Sequence, residues 1–398
     1  MSTLRVEPTA RGRVLEGVAM QVLERALAGL EGGALEVTLP DGTSRRFGAG
    51  APIRLDIRDR GFFRRVATRG KVGFGESYTA GEWETDDLVG LFELLLQNAG
   101  AAGERHARVR RLLELRPRLN RRNGFLRARR NIAYHYDLGN DLFELMLDET
   151  MTYSCAVFEQ PDQSLADAQR AKYERLCTRL ELGPEDHVLE IGCGWGSFAH
   201  YAATTRGCRV TGITISREQA TFARRRTEGL PVEIREQDYR TVDGSYTKVV
   251  SIEMLEAIGD DQFGTYFETI DRVLAPGGKA AVQTILIPEE RWGRYRRTPD
   301  WIERYVFPGC LIPSLESLAR ASSASSRLGI YGVEEIGEHY AETLRRWRAN
   351  FHARIVEVRA LGYDRRFERT WDFYLAFCEA GFRRRVLRDV QLLLERSE

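Results

Sequence analysis

The stretch VLEIGCGWG, Val188 to Gly196, decides how the chain is read. Its first four residues look like the end of a buried strand, and Gly192, Gly194 and Gly196 then follow at every second position. Glycine is wanted in such a turn because the backbone must reverse tightly and approach a ligand with no Cβ in the way. Glu190 places an acid just before the loop. The third glycine comes after one residue, where dinucleotide-binding fingerprints leave two. The loop therefore points to a ligand at the carboxyl edge of a sheet, with spacing unlike a dinucleotide site.

Outward from this loop the same rhythm repeats. HVLEIG, RVTGITIS, VEIREQD, KVVSIEM and KAAVQTILI read as strands with helical or polar segments between them, and LGIYGVEEI and VLRDVQLLLE add two more near the end. This alternation implies an α/β fold, a mostly parallel sheet with helices on both faces. The front of the chain differs. An amphipathic helix is expected from about Arg13 to Leu30, a hairpin in ALEVTLPDGTSRRFG, a strand in IRLDIRD and a buried helix in DDLVGLFELLLQNA. The expected division is a small α+β domain over 1–103, an arginine-rich helical linker over 104–130 and a second domain over 131–398, with an inserted lid at about 288–325.

At 398 residues, 43% hydrophobic and 29% charged, the composition is that of a globular protein able to bury a sizeable core. The net charge of +1 conceals the stretch ERHARVRRLLELRPRLNRRNGFLRARRN, residues 104–131, where arginines far outnumber acids. It reads either as a solvated helix pair or as a surface for anionic phosphates. The six cysteines (Cys155, Cys177, Cys193, Cys208, Cys310 and Cys378) are scattered, with no C-x-x-C pair and no histidine at ligand spacing. Neither a metal site nor a disulfide framework is indicated, and a reducing cytoplasm fits best. The opening residues lack the apolar core of a signal peptide and no run is long enough to span a bilayer. A cytoplasmic protein touching the inner face of a membrane peripherally is expected.

The glycine loop, Glu190 and the acidic segment EQDY after the third strand resemble class I S-adenosylmethionine-dependent methyltransferases. The ribose-binding acid usual at the end of the second strand is missing, and GITIS leaves Thr214 and Gln219 there instead. A narrower resemblance then emerges. YHYDLGNDLFELMLD (134–148), MTYSCAVF (151–158), VLEIGCGWGSFAHYAA, QDYR and the closing FYLAFCEAGFRRR together look like the cyclopropane fatty acid synthase family, from about Asn131 onward, with a looser match at FGESYTAGEW (74–83). That resemblance implies a Rossmann-like, mostly parallel seven-stranded sheet. It also implies methylene transfer from S-adenosylmethionine to a cis double bond of an unsaturated phospholipid acyl chain. Methyl addition to an alkene leaves a carbocation, and loss of a proton closes the ring. In this family a bound bicarbonate is understood to take that proton.

Carried over by position, the resemblance implies an anion site of Glu256, Tyr340 and Gln283, with backbone amides from Cys155 and Ile285. Gln283 stands where many members have histidine; it can donate a hydrogen bond but cannot carry a charge or shuttle a proton. Glu253 is given no catalytic role. For the methyl donor, Tyr153 and Ser154 are expected at the methionine end, Gly192 and Gly194 along the cofactor, Thr214 and Gln219 at the ribose, and Asp238 with Tyr239 at the adenine. ERWGRYRRTPDWIERYVFPGCLIPS (290–314) suits a lid with aromatics toward acyl chains and arginines toward phosphates; a plain surface helix pair is the alternative.

Rival readings remain at this point. The same methyl transfer could leave a methylene branch, reduced to a methyl branch by a separate reductase. Small-molecule N-methylation and a non-catalytic lipid-binding role are weaker alternatives. Nucleic-acid methylation is disfavoured, since neither an N-P-P-Y-type segment nor a P-C motif follows the fourth strand. A homodimer is suggested by bacterial relatives.

Overall fold

The computed structural model describes residues 27–105, 139–298 and 300–396, together with Gln21 and Glu24. Most of the helix expected at 13–30, almost all of the arginine-rich linker and the first residues of the YHYDLGNDLFELMLD motif lie outside the described residues. The chain forms two compact units, one of Met1–Pro117 with Tyr363–Arg384, the other of Arg118–Gly362 with Arg385–Glu398.

In the first unit the expected hairpin is β1 (Ala34–Thr38) against β2 (Ser44–Gly48), turned at Asp41, whose carboxylate accepts the Thr43 N–H at 2.9 Å. Its neighbours are β3 (Pro52–Ile57), parallel to β1, and β4 (Trp83–Thr85), antiparallel to β3. The helix Arg365–Arg383 also belongs here, although the sequence division places it in the second domain. The cause is its aromatic stripe. Phe373 meets Phe92 edge-on with ring centres 4.8 Å apart and lies 5.6 Å from Tyr78. The buried Tyr78 hydroxyl donates to Asp372 at 2.8 Å, and Arg369 lies over the Tyr78 ring while pairing with Glu84 at 2.6 Å. Buried polar groups are tolerable only when matched in this way.

The second unit carries a seven-stranded sheet in the order β10-β11-β9-β8-β5-β6-β7. The strands are β5 (His187–Ile191), β6 (Arg209–Thr214), β7 (Val232–Glu236), β8 (Tyr246–Ile252), β9 (Leu274–Leu286), β10 (Leu328–Glu335) and β11 (Arg388–Arg396). β5 to β9 run parallel, while β11 runs antiparallel to both β9 and β10. All seven are the strands expected from the sequence. Central strands buried on both faces read as nearly continuous apolar runs, and Val188, Leu189, Val249 and Val250 are fully buried. Helices cover both faces. Phe263–Val273 turns Phe263, Tyr266, Phe267, Ile270 and Val273 inward at helical spacing. The chain order reverses at β5, between β6 and β8, which sets a crevice at the carboxyl ends of these strands.

The expected lid contains short helices Glu289–Tyr295 and Trp301–Tyr305, followed by Leu315–Ser325. Trp292, Trp301 and Leu311 are buried, whereas Arg294, Arg296, Arg297 and Arg304 are exposed. Among the described residues no helix is long and apolar enough to cross a membrane. The helix Leu315–Ser325 starts with a reciprocal cap: the Ser317 N–H donates to Ser314 Oγ at 3.2 Å and the Ser314 N–H to Ser317 Oγ at 3.0 Å. Ser314→Ala should lower unfolding free energy by about 1 kcal/mol, read as a lower midpoint with an unchanged slope in chemical denaturation.

Candidate active site

The glycine loop has the geometry its composition requires. Gly192, Gly194 and Gly196 all take left-handed conformations, with φ of 82°, 51° and 79°. The N–H groups of Gly192 and Cys193 both donate to the Ile213 carbonyl at 2.9 Å, tying the loop to the end of β6. A Cβ at Gly192 would come within 2.7 Å of the Met254 side chain, so the loop abuts the end of β8. At Gly194 nothing lies within 4 Å of that position, leaving an open approach. Glu190 behind the loop is buried with one carboxylate oxygen unpartnered, and burial pushes its carboxyl well above the usual range. An open glycine backbone with a polar group still to be satisfied fits S-adenosylmethionine as cosubstrate.

The other residues expected around the methyl donor are placed as follows. Tyr153 packs against Phe143 and Trp347, with ring centres 5.2 and 5.1 Å away. Ser154 turns its hydroxyl toward Lys172, whose Nζ donates to it at 2.7 Å. Thr214 donates to Gln219 at 2.9 Å at the end of β6. Asp238 is gripped by Arg240 at 2.8 and 2.7 Å, and the neighbouring Tyr239 ring packs on Tyr266. The Tyr239 hydroxyl is buried without a hydrogen-bond partner.

The five residues expected at the anion site come together, but around two carboxylates. Tyr340, from the helix Gly337–Ala353, donates to Glu253 Oε2 at 2.5 Å. The Cys155 N–H and Gln283 Nε2 donate to Glu253 Oε1 at 2.8 and 2.9 Å. Glu256 takes Thr284 Oγ1 at 2.8 Å, the Ile285 N–H and its own backbone N–H. Glu253, given no catalytic role from the sequence, thus shares with Glu256 the donors expected around Glu256 alone. The reason is local. Glu253 directly follows β8 with φ of +49°, while its N–H donates to the Gln283 backbone carbonyl at 2.8 Å. That left-handed residue precedes the short 3₁₀ turn Leu255–Ala257, which carries Glu256 to the neighbouring donors.

Three participants escaped sequence reasoning. Asp389 and Gln391 lie on β11 opposite Ile285 and Gln283 of β9. Gln283 Nε2 also donates to Asp389 Oδ2 at 3.1 Å, and Gln391 Nε2 donates to the side-chain oxygen Gln283 Oε1 at 3.2 Å. Lys172 is fully buried on the helix Leu165–Arg179. A signal existed for each: Lys172 falls on a stripe with Leu165, Ala168 and Leu176, and Asp389 and Gln391 share one face of a strand that otherwise reads as core.

The charges follow from this packing. Burial, then the charges of Glu253 and Glu256, push the Asp389 carboxyl well above its usual range. Glu256 is pushed up to about 8 by burial and by Glu253. Glu253 is raised by burial too, but Tyr340, the Cys155 N–H, Lys172 and Gln283 all favour its charged form. All three carboxyls are thus raised, and the hydrogen bonds on Glu253 make it the one whose charged form is best supported. Lys172 is pushed down to about 8 by burial, against the pull of Glu253.

A mostly parallel α/β sheet, an open glycine loop at its reversal point and an adjoining dry acid cluster define a class I S-adenosylmethionine-dependent methyltransferase. Residues 125–392 match the family "Mycolic acid cyclopropane synthetase", and the chain belongs to that family. It is 41% identical over 385 residues to the tuberculostearic acid methyltransferase UfaA1 of Mycobacterium tuberculosis, covering 92% of this chain and 88% of that protein. It is 38% identical over 343 residues to the cyclopropane-fatty-acyl-phospholipid synthase of Escherichia coli strain K12, covering 86% and 87%. The structure of the cyclopropane synthase MmaA2 from Mycobacterium tuberculosis superposes with a TM-score of 0.63 at 26% identity, covering 67% of this chain and 98% of that one. Mycolic acid cyclopropane synthase CmaA1, complexed with SAH and CTAB, gives the same TM-score at 27% identity, with the same coverage. The protein is an S-adenosylmethionine-dependent enzyme that introduces a cyclopropane ring or a methyl branch into fatty acyl chains.

The Glu256 proton leaves a signature in stability. Its pKa is raised from 4.5 to about 8 in the folded state, so its contribution is complete below pH 4.5 and is lost as pH rises through 8. Between those limits wild type should lose more stability than Glu256→Gln, by on the order of a few kcal/mol. Denaturation of both proteins at the two ends of this window measures the difference.

Proposed function

We propose that the protein methylates the cis double bond of an unsaturated phospholipid acyl chain, and that the acid cluster takes up the proton released afterwards. The observation that carries this reading is the position of Glu253, Gln283 and Tyr340 beside the glycine loop, with Met254 touching the loop and Glu253 next to it in the chain. The alkene is a weak nucleophile and needs a dry, shaped site that holds it against the sulfonium methyl. Tyr153, Phe143 and Trp347 supply apolar walls whose ring faces also favour a developing cation. When the π electrons take the methyl group, S-adenosylhomocysteine leaves and a carbocation remains on the neighbouring carbon. Removal of a proton from the new methyl group lets its C–H electron pair form the third C–C bond of a cyclopropane ring.

A second product has its own support. If a hydride shifts to the cationic carbon first, the cation moves to the methyl-bearing carbon and the same deprotonation gives a C=CH2 branch on the chain, which a separate reductase would convert to a methyl branch. The 41% identity to a tuberculostearic acid methyltransferase favours this outcome, as does Gln283 in place of histidine. The phospholipid substrate is supported by the resemblance to the Escherichia coli enzyme. The exposed arginines of the 289–305 segment suit a surface of anionic headgroups, and a membrane-associated role for the first unit and a homodimer belong to the same reading.

Mass spectrometry of fatty acids from cells expressing the protein decides between the products. Either reading expects new chains one carbon heavier; after derivatisation the ring and the methylene branch fragment differently. An unchanged lipid profile, with the protein folded and unsaturated phospholipid present, would contradict both.

A further inference from the structure

We infer that Glu253 is a built-in anion at this active site: its carboxylate takes the place that the family resemblance gives to bicarbonate, and itself removes the proton from the methylated acyl cation. This rests on the methyl-transfer reading above and deepens it.

The donor set supports the substitution. Three of the donors expected for bicarbonate, the Tyr340 hydroxyl, the Gln283 amide and the Cys155 N–H, converge on the Glu253 carboxylate at 2.5–2.9 Å. The fourth, the Ile285 N–H, is held by Glu256. Carboxylate and bicarbonate share a planar O–C–O edge, so donors arranged for one also serve the other. A second anion beside them would have no donors left and would face Glu253, Glu256 and Asp389 in a site where Lys172 is the one buried ammonium nearby among the described residues. Charge without a matched partner is not retained in such surroundings.

The backbone gives an independent argument. Glu253 holds φ at +49°, a conformation that glycine adopts freely and a side chain rarely does. A non-glycine residue kept in this region points to a function for its side chain. Of the four acceptor positions on an ionised carboxylate, three are filled, two on Oε1 and one on Oε2. The remaining position is the one through which a proton is taken up, beside the buried Asp389 carboxyl that hydrogen-bonds the same Glu253. The C–H bond of the new methyl group breaks, its electron pair forms the carbon–carbon bond of the product, and the proton ends on Glu253. No oxidant, metal or further co-reactant is needed. Gln391 and Asp389 act as positioning residues, since each holds Gln283 and Asp389 also hydrogen-bonds Glu253.

The test uses the full chain with vesicles of a cis-monounsaturated phospholipid and labelled S-adenosylmethionine. Methylated lipid is measured in carbon-dioxide-free buffer and after adding millimolar bicarbonate. Wild type should turn over at rates within about two-fold in the two buffers, whereas Glu253→Gln should lose about 100-fold or more in kcat, the usual weight of a general base. S-adenosylmethionine affinity by calorimetry should be retained in that variant, which reports that it is folded. Glu253→Gly relaxes the backbone and opens the donor set. It should be inactive without added anion and regain activity with bicarbonate or formate. Wild-type activity that collapses without bicarbonate and returns with it would overturn the inference while leaving methyl transfer standing, as would a Glu253→Gln variant at the wild-type rate. If wild type yields no methylated lipid in either buffer, the methyl-transfer reading fails and the base assignment falls with it.

Discussion

The second unit is organised around one constraint: the buried Glu253 carboxyl and the donors that converge on it. Burying an ionised carboxylate is expensive unless hydrogen bonds and a counter-charge replace its hydration. Here the replacement comes from five separate pieces of chain. β9 brings Gln283, the helix Gly337–Ala353 brings Tyr340, and the loop before the helix Leu165–Arg179 brings the Cys155 N–H. That helix contributes Lys172, and β11 contributes Asp389 with Gln391. The sheet must close in register for these groups to meet, because Gln283 faces Gln391 and Ile285 faces Asp389 across β9 and β11. Catalytic geometry and sheet topology are thus a single problem.

The same constraint bears on the chemistry. A carbocation forming beside an acyl chain would be captured by any mobile water. On the inference above, a base that is part of the chain, beside the buried Glu256 and Asp389 carboxyls, takes the proton without a diffusing anion or water entering. Whether the proton leaves before or after a hydride shift decides between ring and branch, and on that inference both products draw on the same carboxylate. Aromatic walls from Phe143, Tyr153 and Trp347 keep the site apolar without offering a group that the methyl donor would alkylate readily.

Much of this was legible in the sequence. The glycine spacing at Gly192, Gly194 and Gly196 fixed the sheet's ligand edge, and all seven strands of the second unit follow from their apolar runs. The helix Arg365–Arg383 was assigned to the wrong unit because an aromatic stripe records that a face is buried, not what buries it. At the site the residue set was legible and the pairing was not. Glu253 and Glu256 stand three residues apart, and one left-handed backbone angle decides which carboxylate meets Tyr340, Gln283 and the Cys155 amide. No local propensity announces a positive φ at a glutamate. Lys172 escaped for a simpler reason: a lysine inside an apolar stripe is easily taken for one that reaches out to solvent.

The most direct measurement of the central claim is a crystal structure of the protein with S-adenosylhomocysteine, grown in the presence of bicarbonate, at a resolution that separates planar density from side-chain density. The expected result is the Glu253 carboxylate itself within hydrogen-bond distance of the Tyr340 hydroxyl, the Gln283 amide and the Cys155 N–H. A separate planar anion on those three donors, with Glu253 turned away from them, would contradict it.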